Sequence, residues 1–169
     1  MTISYCIRFL LVAATLLFAN SSSAGILLGR VVGIADGDTV TVLDSSKVRF
    51  KIRLMGIDAP EKKQAFGNKS KQSLSALVFN KQVSVEYSKQ DRYGRTVGKI
   101  IVDGIDANLE QVKAGMAWHY KQYQNEQSEE DRVLYAQAEV QARTERRGLW
   151  IDTDPTPPWE LRKQQKRKN

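Results

Sequence analysis

Three short segments of this 169-residue chain bring carboxylates and arginines together at close spacing. They are Asp36-Gly37-Asp38-Thr39, then Arg53 with Asp58-Ala59-Pro60-Glu61, then Asp91-Arg92-Tyr93-Gly94-Arg95. Carboxylates can hold a hard cation or move a proton, and planar guanidinium forks suit oxyanions better than an ammonium does. Taken singly, each segment has an ordinary reading: a hairpin turn, a strand exit leading into a helix, and a tight turn with solvated flanks. Single motif matches carry false positives. The weight lies in the set.

The elements that must position these segments read as short strands followed by helices. Ile26 to Ile34 carries Gly29 and Gly33, the pattern of a bent strand in a small barrel. Thr39 to Leu43 is rich in β-branched residues, and Val48, Phe50, Ile52 and Leu54 alternate with Arg49, Lys51 and Arg53. Val83 to Tyr87 and Val97 to Val102 are the fourth and fifth strands. A helix over about Asn68 to Asn80 has Leu74, Leu77 and Val78 on one side, and a second spans about Ala107 to Ala117. A third starts at Ser128 with Glu129, Glu130 and Asp131 in its first turn, offers Val133, Ala136, Val140 and Ala142 for burial, and stops at Gly148. Five strands, a helix after the third and two more after the fifth give an α+β fold: a five-stranded OB-type β-barrel with three helices.

In this order, the segments D-G-D-T (36–39), R-L-x-x-I-D-A-P-E (53–61), D-R-Y-G-R (91–95) and L-E-Q-V-K-A-G-M-A (109–117) resemble the staphylococcal nuclease, or thermonuclease, family. The likeness runs from about Arg30 to Trp150. It implies an endonuclease that hydrolyses phosphodiester bonds of DNA and RNA with little sequence specificity, needs Ca2+ and leaves 3′-phosphate ends. Attack on a phosphodiester adds charge to oxygens that are already anionic, so preorganised positive charge is the physical requirement.

The resemblance assigns that charge to one calcium ion and two arginines. Asp38 and Asp58 correspond to the carboxylate ligands, and the main-chain carbonyl of Ala59 to a third. Alanine stands at position 59 where the best-known member has threonine, a change of no consequence for a backbone ligand. Glu61 corresponds to the catalytic carboxylate that orients or deprotonates water, and Arg53 and Arg95 to the pair that grips the phosphoryl oxygens. Arg92 and Tyr93 correspond to substrate-side residues beside the phosphate. Trp118, Tyr120 and Tyr123 follow the second helix where the family places aromatics against the base. Stacking there, for which Trp118 and Tyr120 are the candidates, stands against the equal alternative that they close the core. The lone His119 reads as a surface residue near a helix end without a catalytic role, and Trp150 and Trp159 as covers for the barrel.

A binding module of this fold that had lost catalysis would be expected to lack some of Asp38, Asp58, Glu61, Arg53 and Arg95. All five are present. A carbohydrate- or protein-binding OB domain would leave the placement of arginines and carboxylates unexplained.

The two ends of the chain differ from the middle. Arg8 precedes the apolar run Phe9 to Ala19, which is short for a membrane span, and Ser22-Ser23-Ala24 has the small residues of a cleavage site. Residues 1–24 therefore read as a signal peptide, residues 25–153 as the nuclease domain, and 154–169 as a Pro-rich arm with a basic, disordered tail. The expected product is a monomer exported to the periplasm or medium, without a membrane anchor. The sole cysteine, Cys6, leaves with the signal, which excludes thiolate chemistry. Removing Arg8 leaves 25 basic against 19 acidic residues, and five of the basic ones lie in the last eight positions. Net charge is thus weak support for a nucleic-acid partner, and the motifs carry that reading.

Overall fold

The structure is a computed structural model that describes residues 25–168. The signal peptide expected over residues 1–24 lies outside the described residues. Strands β1 (Gly25–Ile34), β2 (Thr39–Leu43) and β3 (Arg49–Leu54) form an antiparallel meander, followed by the short β4 (Ile57–Asp58) and helix α1 (Gly67–Val78). Next come β5 (Gln82–Gln90), β6 (Thr96–Val102), the short β7 (Ile105–Asp106) and α2 (Ala107–Lys113). The short β8 (Trp118–His119), α3 (Glu129–Thr144) and α4 (Pro158–Lys168) complete the order.

β5 pairs with both β1 and β6, and β6 pairs in parallel with β3, so the five long strands close on themselves. This is the five-stranded OB-type barrel with helices expected from the pattern. Its interior is filled by Val31, Val40, Val42, Ile52, Val85 and Ile100, each fully buried. Leu74 and Val78 of α1 and Val112 of α2 cap the same core. Alternation along β2 and β3 puts one set of side chains inside, which is why the strand pattern was readable.

Helix boundaries follow local chemistry. The Asp106 side chain accepts from the backbone N–H groups of Asn108 (2.9 Å) and Leu109 (3.0 Å), capping α2. α2 then ends at Lys113, four residues short of the expected Ala117, because Gly115 turns the chain at φ +64°. Ser128 caps α3 by accepting from Asp131 N at 3.0 Å. α3 stops at Thr144 rather than near Gly148, because Arg146 itself takes the left-handed conformation (φ +53°) and Arg147 N donates back to Ala142 O.

The buried face of α3 also differs from the expected one. It carries Asp131, Tyr135, Ala138, Glu139 and Ala142, while Val133 and Val140 are 50% and 62% exposed and Ala136 is half-buried. Two acids can face inward because each has a cation: Lys99 Nζ lies 3.0 Å from Asp131 and Lys121 Nζ 2.6 Å from Glu139. Of the residues expected to be buried, only Ala142 lies fully inside, so counting apolar residues alone misplaced most of the stripe.

The tail expected to be disordered is helical. Pro158 occupies the first position of α4, where a missing N–H costs nothing, and Glu160 lies in the first turn. The helix holds because Trp159 and Arg162 find partners on the barrel side.

Candidate active site

The D-G-D turn is built by short-range bonds and then locked from outside. Asp38 N donates to Asp36 Oδ1 at 3.1 Å, Ala35 N to Thr39 O at 2.9 Å, and Leu54 N to Asp38 O at 2.8 Å. Gly37 sits so close to α1 that a Cβ there would fall 1.8 Å from Ser70 Oγ and 2.8 Å from the Ala59 Cβ. The Gln111 side chain of α2 donates to Gly37 O at 2.8 Å and to Ser70 O at 3.1 Å. Nearby, Asn108 donates to Met55 O at 3.0 Å and to Gly98 O at 3.1 Å, fixing the exit of β3.

That exit brings the acids to Arg53. The Arg53 guanidinium lies 3.1 Å from Asp38 Oδ2 and 2.8 Å from Asp58 Oδ1, and it also donates to Ile57 O at 3.0 Å. Asp38 Oδ2 accepts from Ala59 N as well, at 2.6 Å. Asp58 sits in β4, whose partner β8 places Trp118 directly opposite. Asp38 and Asp58 are 5% and 1% exposed, so both carboxylates are removed from water. Burial raises the pKa of Asp38 to about 7; Arg53 opposes the shift, while Asp36 and Asp58 add to it. Burial also raises Asp58, against the bonds and charges of Arg162 and Arg53.

Glu61 joins the same group through a residue that sequence reasoning missed. Arg162 of α4 places one guanidinium nitrogen 2.7 Å from Asp58 Oδ2 and the other 2.7 Å from Glu61 Oε1. The Glu61 loop is itself tied down: Glu61 N donates to Gln64 Oε1 at 3.1 Å, and the Gln64 amide donates to Thr156 O in the Pro-rich arm. Four of the expected site residues, Asp38, Asp58, Glu61 and Arg53, thus converge, with Ala59 next to Asp58. The signal for Arg162 was present in Pro158 and Glu160, a helix-start pattern, but the density of lysines and arginines beyond it read as disorder.

Arg95 and its turn stand beside this cluster rather than in it. The Arg95 side chain is held by Asp91 Oδ2 at 2.7 Å. Backbone N–H groups of Tyr93 and Arg95 donate to Asp91 Oδ1 at 2.9 and 3.0 Å, and these bonds outweigh burial to lower the pKa of Asp91. Arg53 pairs in register with Val97, two residues beyond Arg95, which sets the Arg95 turn at the end of β6 next to Arg53. Tyr93 is 69% exposed, with the Arg92 and Arg95 guanidiniums 5.0 and 5.5 Å from its ring.

The aromatics divide. Trp118 is 3% exposed and packs edge-on against Trp150 (5.4 Å) and Trp159 (6.2 Å), which makes it a wall of the site rather than an open stacking face. Tyr120 is half-buried and lies flat on Trp159, centroids 5.2 Å apart at 12°. His119 is not on the surface: it is 1% exposed in β8, with Nε2 2.9 Å from Gln127 Oε1 and its ring beside Tyr135. The turn after α2 folds inward as β8 to pair with β4, which the sequence did not signal.

The sequence matches the family described as staphylococcal nuclease homologue over residues 51–152. The chain belongs to the staphylococcal nuclease family. It is 48% identical over 132 residues to an uncharacterized endonuclease of Escherichia coli O157:H7, covering 78% of this chain and 82% of that one. It is 36% identical over 163 residues to the micrococcal nuclease of Shigella flexneri, covering 91% of each. A probable staphylococcal-like nuclease of Oryza sativa subsp. japonica is 40% identical over 115 residues, 68% of this chain and 33% of that one. Membership makes this protein a hydrolytic nuclease.

The family is metal-dependent, and the donor set can be tested for fit. Among the described residues there is no group of three or more His, Cys, Asp or Glu side chains arranged to hold a metal ion. Two carboxylates and a main-chain oxygen make a smaller set than that, and all its donors are oxygens, as a hard cation requires. Asp38, Asp58 and Glu61 carry three formal negative charges against the two positive charges of Arg53 and Arg162, which leaves one negative charge in excess. The residues fit.

Proposed function

We propose that this nuclease is a calcium-dependent endonuclease that cuts DNA and RNA with little sequence preference and leaves 3′-phosphate ends. The observation that carries the reading is the Arg53 bridge between Asp38 and Asp58, with Glu61 drawn to the same place. Asp38, Asp58 and the Ala59 carbonyl would hold the calcium ion, which when bound supplies positive charge against the phosphate. Glu61, 41% exposed at its side chain, is placed to accept a proton from water or to orient it. Water oxygen then bonds to phosphorus as the bond to the 5′ oxygen breaks, and that oxygen takes a proton from solvent water to leave as the 5′-hydroxyl. Arg53 and Arg95 offset the charge that grows on the non-bridging oxygens. Base identity plays little part because the aromatic lining of Tyr120 and Tyr93 would offer stacking, which any base satisfies.

The same proposal includes export to the periplasm or medium after removal of residues 1–24, and action as a monomer. N-terminal sequencing of the exported protein checks the first. The enzymatic reading is tested by digesting end-labelled DNA and RNA with calcium, with magnesium and with excess chelator, and by treating the products with phosphatase. Cleavage that requires calcium and leaves 3′-phosphates supports it. Undiminished cleavage in chelator sinks it.

A further inference from the structure

α4 lies beyond the residues matched by the family, yet it makes the two most intimate contacts in the site. Trp159 and Arg162 are three positions apart, hence on one face of the helix. Trp159 lies flat on Tyr120 at 5.2 Å. One turn later, Arg162 forks onto Asp58, with contacts of 2.7 and 3.3 Å, and onto Glu61 at 2.7 Å. We propose that α4 is a self-inhibiting strap in which Trp159 takes the place of a nucleotide base on Tyr120, while Arg162 takes the place of the cation on Asp58 and covers Glu61. This inference rests on the calcium-dependent reading above.

Asp58 is almost fully buried, and its Oδ1 already accepts from Arg53 at 2.8 Å. With Arg162 on Oδ1 and Oδ2, its oxygens are committed to guanidinium donors. A divalent cation and Arg162 carry like charge and compete for the same carboxylate, so they bind in turn rather than together. Arg162 also occupies Glu61, the group placed to handle water. The helix is held down by contacts suited to exchange rather than permanence: Arg162 is 38% exposed at its side chain, and Trp159 is only half-buried. The Pro-rich arm, docked through Gln64 and Thr156, keeps α4 close whether or not its tip is seated.

Substrate supplies the other half of the switch. Lys163, Lys166 and Arg167 are exposed on α4, and Lys163 has only Glu160 of its own helix as a partner, at 2.9 Å. A polyanion offers these cations and Arg162 a richer set of acceptors than two carboxylates do. Nucleic acid and calcium therefore act in the same direction: one attracts the released helix and the other fills the acids it leaves. An apparent affinity is lowered by the fraction of molecules in which the site is open, so removing the lock raises it.

The test uses full-length protein and the variants Arg162→Gln and Arg162→Lys. Calcium affinity is measured by isothermal titration, and α4 amide hydrogen exchange is followed with and without calcium plus a single-stranded oligonucleotide. Arg162→Gln is expected to bind calcium about tenfold or more tightly, a gain of about 1.4 kcal/mol or more, with Arg162→Lys in between. Calcium plus oligonucleotide is expected to accelerate exchange in α4 of the unmodified protein. Unchanged calcium affinity with reduced turnover in Arg162→Gln would instead make Arg162 a phosphate-gripping residue, and the strap is then wrong. If no form binds calcium or cuts nucleic acid, the nuclease reading fails on its own account. The strap is then judged by exchange alone, and α4 amides no faster in Arg162→Gln overturn it.

Discussion

The Gln111 side-chain amide of α2 donates to the Gly37 carbonyl at 2.8 Å, joining a helix to the D-G-D turn across 74 residues of sequence. The same side chain donates to Ser70 O and accepts from Ser73 Oγ at 2.6 Å, so it binds α1, α2 and the turn together while fully buried. Gln111→Ala leaves those groups without partners in a place water does not reach. The expected cost is about 2–4 kcal/mol in urea unfolding, since each orphaned buried group costs about 1–3 kcal/mol. Weaker calcium binding should accompany it, because the turn carrying Asp38 loses its outer support. Unaltered stability would mean that the turn is held by its own bonds.

Arg53 and Arg95 should separate in their effects. Arg53→Ala leaves the buried Asp38 without its ion-pair partner and Asp58 with Arg162 alone, and breaking a buried pair this way typically costs about 3–5 kcal/mol. Arg95 is paired to Asp91 at a more exposed turn, 25% and 19% exposed at the side chains, where an ion pair contributes about 1 kcal/mol or less. Arg95→Lys is therefore expected to fold normally and lose turnover. Thermal melts beside initial rates check both, and equal loss of stability in the two variants would contradict the assignment.

Glu61→Gln keeps the size and an acceptor oxygen toward Arg162, and leaves the backbone bonds to Gln64 in place, but cannot take a proton. Turnover should drop by about 10²–10⁴ with DNA affinity nearly unchanged. Rates from single-turnover cleavage and affinity from filter binding separate the two. Full activity would remove Glu61 from the reaction.

His119 makes stability pH-dependent. Burial depresses its pKa below the ordinary 6.5, against the hydrogen bond with Gln127 and the charge of Glu139. Its Nδ1 has no hydrogen-bond partner among the described residues, so a second ring proton would be buried without an acceptor. The unfolded chain thus binds this proton more readily than the native one, and stability falls as pH drops from about 7 through the depressed value. His119→Gln should flatten that part of the profile. A slope unchanged between pH 7 and 5 in urea titrations would show that His119 does not set it.

The exposed cations of α4 should set the salt dependence of DNA binding. Replacing Lys163, Lys166 and Arg167 by glutamine is expected to lower the log–log salt slope by about 2–3, at about 0.7–0.9 per lost phosphate contact. An unchanged slope would mean that α4 touches no phosphate.

Much of this was legible in the sequence because it depends on local chemistry. β2 announced itself by its β-branched residues, β3 by alternation, the D-G-D turn by its composition, α2 by its apolar side and α3 by its cap. The convergence of Asp38, Asp58, Glu61 and Arg53 followed from spaced motifs whose meaning lies in their combination. Three features were hidden for a common reason, namely that each depends on a partner far along the chain. Asp131 and Glu139 face inward because Lys99 and Lys121 meet them, His119 is buried because β8 pairs with β4, and α4 is ordered because Tyr120, Asp58 and Glu61 receive it. Charge density in the last eight residues looked like solvation. It is complementarity.

The parallel seam between β3 and β6 closes the barrel and is also what sets Arg53 beside the Arg95 turn. Everything between those strands, including α1 and β5, must be in place before the seam can form, and such non-local pairing is slow to assemble. A chain folded only through its first meander owns Asp38 and Arg53 but no cutting centre. The closed barrel that gathers these acids is therefore a late product of folding.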